Sequence, residues 1–151
     1  MFSLGYIYYY DKVIRDVQKA HYWIEKAIQL LEVETEYPPA THPYKYLKSP
    51  YQLLKDARAI LGEMYYHGDG VEKDYVKAVN LFNHGISDNA NAMYLLSKCY
   101  RFGRGVEKDI KKAEELEKRA ATYGNEDAKD ILEIIQLMQY KWEDFMTSIL
   151  S

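Results

Sequence analysis

Residues 57–91, ARAILGEMYYHGDGVEKDYVKAVNLFNHGISDNAN, align without a gap on residues 92–126, AMYLLSKCYRFGRGVEKDIKKAEELEKRAATYGNE, with 12 identities at an offset of 35. A period of that length marks stacked supersecondary units, each burying an apolar face only against its neighbours. The identities have structural roles. Ala57/Ala92, Leu61/Leu96 and Tyr65/Tyr100 recur at i, i+4 and i+8, the buried stripe of a first helix A. Gly68/Gly103 ends that helix where a left-handed residue is wanted, Gly70/Gly105 permits a tight loop, and Val71/Val106 plugs the loop from below. Asp74/Asp109 can accept the orphan N–H groups of a second helix B, whose stripe is Ala78/Ala113 and Leu81/Leu116. Each unit is predicted to be an αα-hairpin.

The pattern Ala-x3-Leu-Gly-x2-Tyr-x2-Gly-x-Gly-Val-x2-Asp-x2-Lys-Ala, carried by Ala57, Leu61, Gly62, Tyr65, Gly68, Gly70, Val71, Asp74, Lys77 and Ala78, resembles the Sel1-like repeat, a relative of the tetratricopeptide repeat. The second unit departs from it at Ser97, in the place of a glycine, where a hydroxyl still packs closely. Upstream, Leu4, Gly5, Tyr8, Val13, Asp16, Lys19, Ala20, Trp23 and Ala27 fit a degenerate first unit whose loop is one residue shorter. The resemblance implies an all-α fold, a right-handed superhelix of hairpins, with the A helices lining the concave face.

The expected domain is a single one over 1–151: a degenerate repeat 1–32, a Pro/Tyr-rich insertion 33–56, repeats 57–91 and 92–127, and a capping helix 128–151. All four prolines fall within 38–50, so 36–50 reads as an ordered surface loop with Tyr37, Tyr44 and Tyr46 packed somewhere, helical periodicity resuming near Tyr51. The terminal run keeps Ala128 and Leu132 in the repeat frame and stays apolar at Ile131, Ile135, Met138 and Trp142. It reads as the helix that covers the last open face of the array.

Composition narrows the function. A net charge of −3 with interspersed signs offers no basic field for phosphates, which disfavours nucleic acid. One cysteine cannot form an internal disulfide, and MFSLGYIYYYDK has neither a basic n-region nor an apolar h-region, so the reading is a soluble, cytoplasmic protein away from membranes. His21, His42, His67 and His84 occur at no metal-binding spacing, the glycine strings lack the Lys-Ser/Thr of a phosphate loop, and Cys99 has no histidine set beside it. No catalytic residue, metal or cofactor is expected. The cysteine pairs of the secreted branch linked to β-lactam or cell-wall compounds are missing too, which leaves a small-molecule hydrolase as the weakest reading.

Sixteen tyrosines are the compositional anomaly. A helical wheel with Leu61 and Tyr65 inward puts Ala59, Glu63, Tyr66 and His67 on the other side, and the equivalent positions are Tyr94, Lys98, Arg101 and Phe102 in the next unit and Ser3, Tyr6, Tyr9 and Tyr10 in the first. The resemblance makes Tyr6, Tyr9, Tyr10, Glu63, Tyr66, His67, Tyr94, Lys98, Arg101 and Phe102 rungs of one partner-binding groove. Tyr and Arg suit such a surface, because a rigid amphipathic side chain buries much area at small entropic cost. The expected function is a non-catalytic protein-interaction module, an adaptor or scaffold. The alternative is an immunity protein that neutralises a bacterial toxin by direct binding.

Overall fold

The computed structural model describes residues 2–11, 16–36, 49–86 and 88–150. Among them are seven helices and no strand: α1 (Phe2–Tyr10), α2 (Val17–Glu36), α3 (Pro50–His67), α4 (Tyr75–Gly85), α5 (Ala90–Phe102), α6 (Ile110–Thr122) and α7 (Glu126–Leu150). They pair as the hairpins α1/α2, α3/α4 and α5/α6, with α7 laid against α6 and each hairpin stacked on the next. Val13, Pro38, Pro39, Pro43, Tyr37, His42, Tyr44 and Tyr46 lie outside the described residues.

The three hairpins share one backbone hydrogen bond across their turns. The backbone N–H of each cap aspartate donates to the carbonyl of the motif tyrosine, Asp16 to Tyr8, Asp74 to Tyr65 and Asp109 to Tyr100, at 3.0 Å every time. The side chains of Asp74 and Asp109 then accept from the N–H of Lys77 and Lys112, and Asp16 accepts from Lys19 in the same way, so one residue both closes the loop and starts helix B. Gly68 and Gly103 end their A helices at φ 79° and 65°, donating to the carbonyls of Met64 and Cys99.

Two expectations change. Ser49 caps α3 by accepting from the Gln52 N–H, and Pro50, which has no N–H to lose, occupies its first turn, so the helix starts seven residues ahead of the repeat frame at Ala57. Residues 51–56, where helical periodicity is expected to resume, are helical although counted with the insertion, and Pro50 and 33–36, read as part of the loop segment, are helical too. The second change concerns α7. Its beginning does cover the array, with Ala128 fully buried and Ile131 packed against Met93, Tyr94 and Ala120. Further along it leaves the body, and Met138, Trp142 and Phe145 are 66%, 63% and 53% exposed. No helix among the described residues is long and apolar enough to cross a membrane.

Candidate functional site

Four of the ten groove residues do not face outward. Tyr9, Glu63, Tyr66 and Tyr94 are buried, although the wheel turned them away from the core. The reason is the layer they occupy. An A helix packs on its own B helix and also on the hairpins before and after it, so it is covered on more than one face. Tyr66 packs among Ala92, Leu95, Leu96 and Cys99 of the following repeat, and Tyr94 packs toward α7 with Met93 and Ala120. Tyr9 joins Ala20, Ile24, Ile60 and Met64 at the junction of the first two hairpins, its hydroxyl donating to Asp69 Oδ2 at 3.3 Å.

Glu63 belongs to the same junction. Tyr10 Oη donates to its Oε2 at 3.0 Å, whereas Oε1 has no hydrogen-bond partner of good geometry among the described residues. Burial pushes the carboxyl up to about 7, against the opposing pull of Tyr10 and Asn91. Tyr10 itself is pushed up, by desolvation first and by the Glu63 charge second.

Arg101 is tied down for a different reason. Where the middle repeat sets Phe82 against Gly62, the next has Glu117 against Ser97; a Cβ on Gly62 would come within 2.7 Å of the Phe82 ring. The smaller Glu117 leaves room for the Ser97 hydroxyl, which donates to the Tyr94 carbonyl at 2.7 Å. Arg101 Nε and Nη2 donate to the two Glu117 oxygens at 3.0 and 2.6 Å, and this raises the Arg101 pKa. Glu117 is 1% exposed, so removing Arg101 strands a buried carboxylate at a cost of about 3–5 kcal/mol. Arg101 therefore holds its own repeat together.

The residues left at the surface are Tyr6, Tyr10, His67 and Phe102, with Lys98 half-buried over the Tyr94 ring at 4.1 Å. They do not line one continuous groove. Tyr6 and Tyr10 stack with centroids 4.7 Å apart on one wall of a cleft of about 560 Å³, whose other sides are Gln52, Asp56, Ile60, Asp88 and Asn89. Among the described residues two carboxylates and no basic side chain line it. A second surface group forms around Arg104, whose guanidinium lies 5.1 Å from the Phe102 ring and 5.5 Å from the Tyr75 ring, with Nη1 donating to Tyr66 Oη at 3.5 Å. His67 stacks edge-on against Tyr66.

Gln52, Asp56, Asp88, Asn89 and Arg104 were missing from the groove expected from sequence. Gln52, Asp56 and Ile60 follow one another at four-residue steps, a helical face that was legible once Pro50 was read as a first-turn proline instead of a loop residue. Asp88 enters the cleft from the α4–α5 turn, and only the stacking of the first hairpin on the second puts that turn beside α1.

Cys99 is fully buried, and burial pushes its thiol up to about 11, leaving almost no thiolate at neutral pH. Among the described residues no three His, Cys, Asp or Glu side chains are grouped to hold a metal ion.

A model of the Sel1 repeat matches residues 1–30, 55–83 and 90–125, more than half of the chain. No curated protein shows significant similarity to it. Among solved structures, a Sel1 repeat protein from Oxalobacter formigenes is 28% identical, with a TM-score of 0.59 over 87% of this chain and 84% of that one. The c5321 protective antigen of uropathogenic Escherichia coli, which displays the same repeat fold, is 23% identical with a TM-score of 0.59; the match covers 84% of this chain and 23% of the antigen. Repeats of this kind generally mediate protein–protein interaction on a typically non-catalytic fold. Three matched hairpins, their shared tyrosine–aspartate turns and the solved relatives agree: the chain belongs to the Sel1 repeat family.

Proposed function

We propose that this chain is a non-catalytic adaptor or scaffold that binds one protein partner on its A-helix side, taking a cationic side chain of that partner into the cleft between α1 and α3. The observation that carries this reading is the cleft itself: stacked, partly exposed Tyr6 and Tyr10 face Asp56 and Asp88, and among the described residues no basic side chain lines the space. Aromatic faces and carboxylates together suit a lysine or arginine, which gains a cation–π contact and a charge-assisted hydrogen bond in one site. The Arg104, Phe102 and Tyr75 group supplies a second contact patch on the neighbouring repeats.

The test uses surface residues, since substituting Tyr66 or Arg101 would report on folding. A partner recovered by affinity capture is expected to bind the Tyr6→Ala/Asp88→Ala variant roughly 30-fold more weakly, about 2 kcal/mol, with the variant's Tm unchanged. Lys112→Ala, outside this surface, should bind as the wild type does. A partner that bound all three proteins equally would place its site elsewhere.

A further inference from the structure

We propose that the distal part of α7 is a self-association element that pairs antiparallel with α7 of a second copy of this chain. Ala128 and Leu132 put α7 in the position of a fourth A helix, and in that frame Gln139 stands where Gly68 and Gly103 stop their helices. The helix does not stop there. It runs on to Leu150, so no B helix folds back at that point to cover it. At 25 residues α7 is about 38 Å long, against about 20 Å for the 13-residue α5 and α6, and the excess lies exposed among the described residues.

The uncovered face has a definite period. Ile131, Ile135, Met138, Trp142, Phe145 and Ile149 alternate at four- and three-residue spacing, a seven-residue repeat that continues the face begun by Ala128. A stripe of period 3.5 suits a helix as its partner over the part beyond Ile131, and none of its core positions carries a charge. Trp142 and Phe145 already lie 6.0 Å apart, ready to form one aromatic layer with their counterparts. Burying the exposed parts of this stripe with flanking Ile134 and Met146 removes roughly 600 Å² per copy, about 1,200 Å² for the pair, the size at which specific interfaces begin. Direction follows from the start of the stripe, where Ala128 and Ile131 pack on the body. A parallel partner would bring its own body into that space. An antiparallel one brings only its helix tip.

Light scattering and sedimentation equilibrium on the intact chain at about 100 µM test the proposal. The expected mass is twice the 17.8 kDa of one chain. Trp142→Glu/Phe145→Glu should weaken the dimer at least about 100-fold while far-UV circular dichroism stays helical, because both side chains are exposed in the monomer. Tyr140→Glu, off the stripe, should leave the dimer intact. Ile149→Cys should not link to itself under oxidation, since in an antiparallel pair the two positions lie on the order of 15 Å apart, too far for a disulfide. A monomeric wild type, a dimer that survives the double substitution, a dimer lost on Tyr140→Glu, or a self-linked Ile149→Cys would each overturn it.

Discussion

Glu63 sits between Tyr10 and Asn91 with a carboxyl that titrates near 7 instead of at its ordinary 4.5. Because the native state holds this proton more tightly than the unfolded chain does, the contribution of Glu63 to stability is full below about pH 4.5 and is lost as pH rises to about 7. Above that it is constant. The shift corresponds to a loss of about 3 kcal/mol across the window. Glu63→Gln keeps an acceptor for the Tyr10 hydroxyl and removes the titration. Urea unfolding at pH 5 and pH 8 should therefore show the variant gaining on the wild type by about that amount at the higher pH, and a difference independent of pH would refute the assignment. From the sequence this residue looked like an outward carboxylate, since a wheel sees one helix at a time. The neighbours that hydrogen-bond it stand 53 residues upstream and 28 downstream.

Among the elements, the A–B turns show how a local rule acquires a long-range purpose. Gly103 and Gly105 both have positive φ, at 65° and 70°, yet their surroundings differ. A Cβ on Gly103 would meet Lys108 Cβ at an ordinary 3.6 Å, whereas one on Gly105 would run into the Tyr75 carbonyl at the start of the preceding repeat's helix B. Gly103→Ala thus carries only the left-handed backbone penalty, about 1 kcal/mol, while Gly105→Ala adds a clash with backbone and should cost at least about 2–3 kcal/mol. Thermal unfolding of the two variants checks this, and equal losses would mean that the loop does not brace the neighbouring hairpin. Which glycines sit in turns could be read from the pattern; which of them is a contact between repeats could not. The same limit applies to α7, whose first two turns keep the repeat frame and cap the array, and whose continuation past Gln139 made it something other than a cap.

For the whole molecule, stability comes from a stack in which each hairpin touches mainly its neighbours, so among the described residues the middle units pack on both sides and the first hairpin packs on α3. Native-state hydrogen exchange should find the amides of α4 and α5 opening only with global unfolding, and those of α1 opening earlier by detachment of the first hairpin. Uniform protection from α1 to α6 would show a single cooperative block instead. The sequence by itself determined the period and the family, which self-alignment reads directly, and the helix stripes and the glycine and aspartate turns, because these rest on contacts between residues fewer than about ten apart, where spacing alone sets who meets whom. Only the tertiary structure decided which side of the A helices reaches solvent. That choice depends on three neighbours at once, and their packing buried Tyr9, Glu63, Tyr66 and Tyr94, tied Arg101 to Glu117, opened the cleft beside Tyr6 and Tyr10, and left the far end of α7 exposed among the described residues.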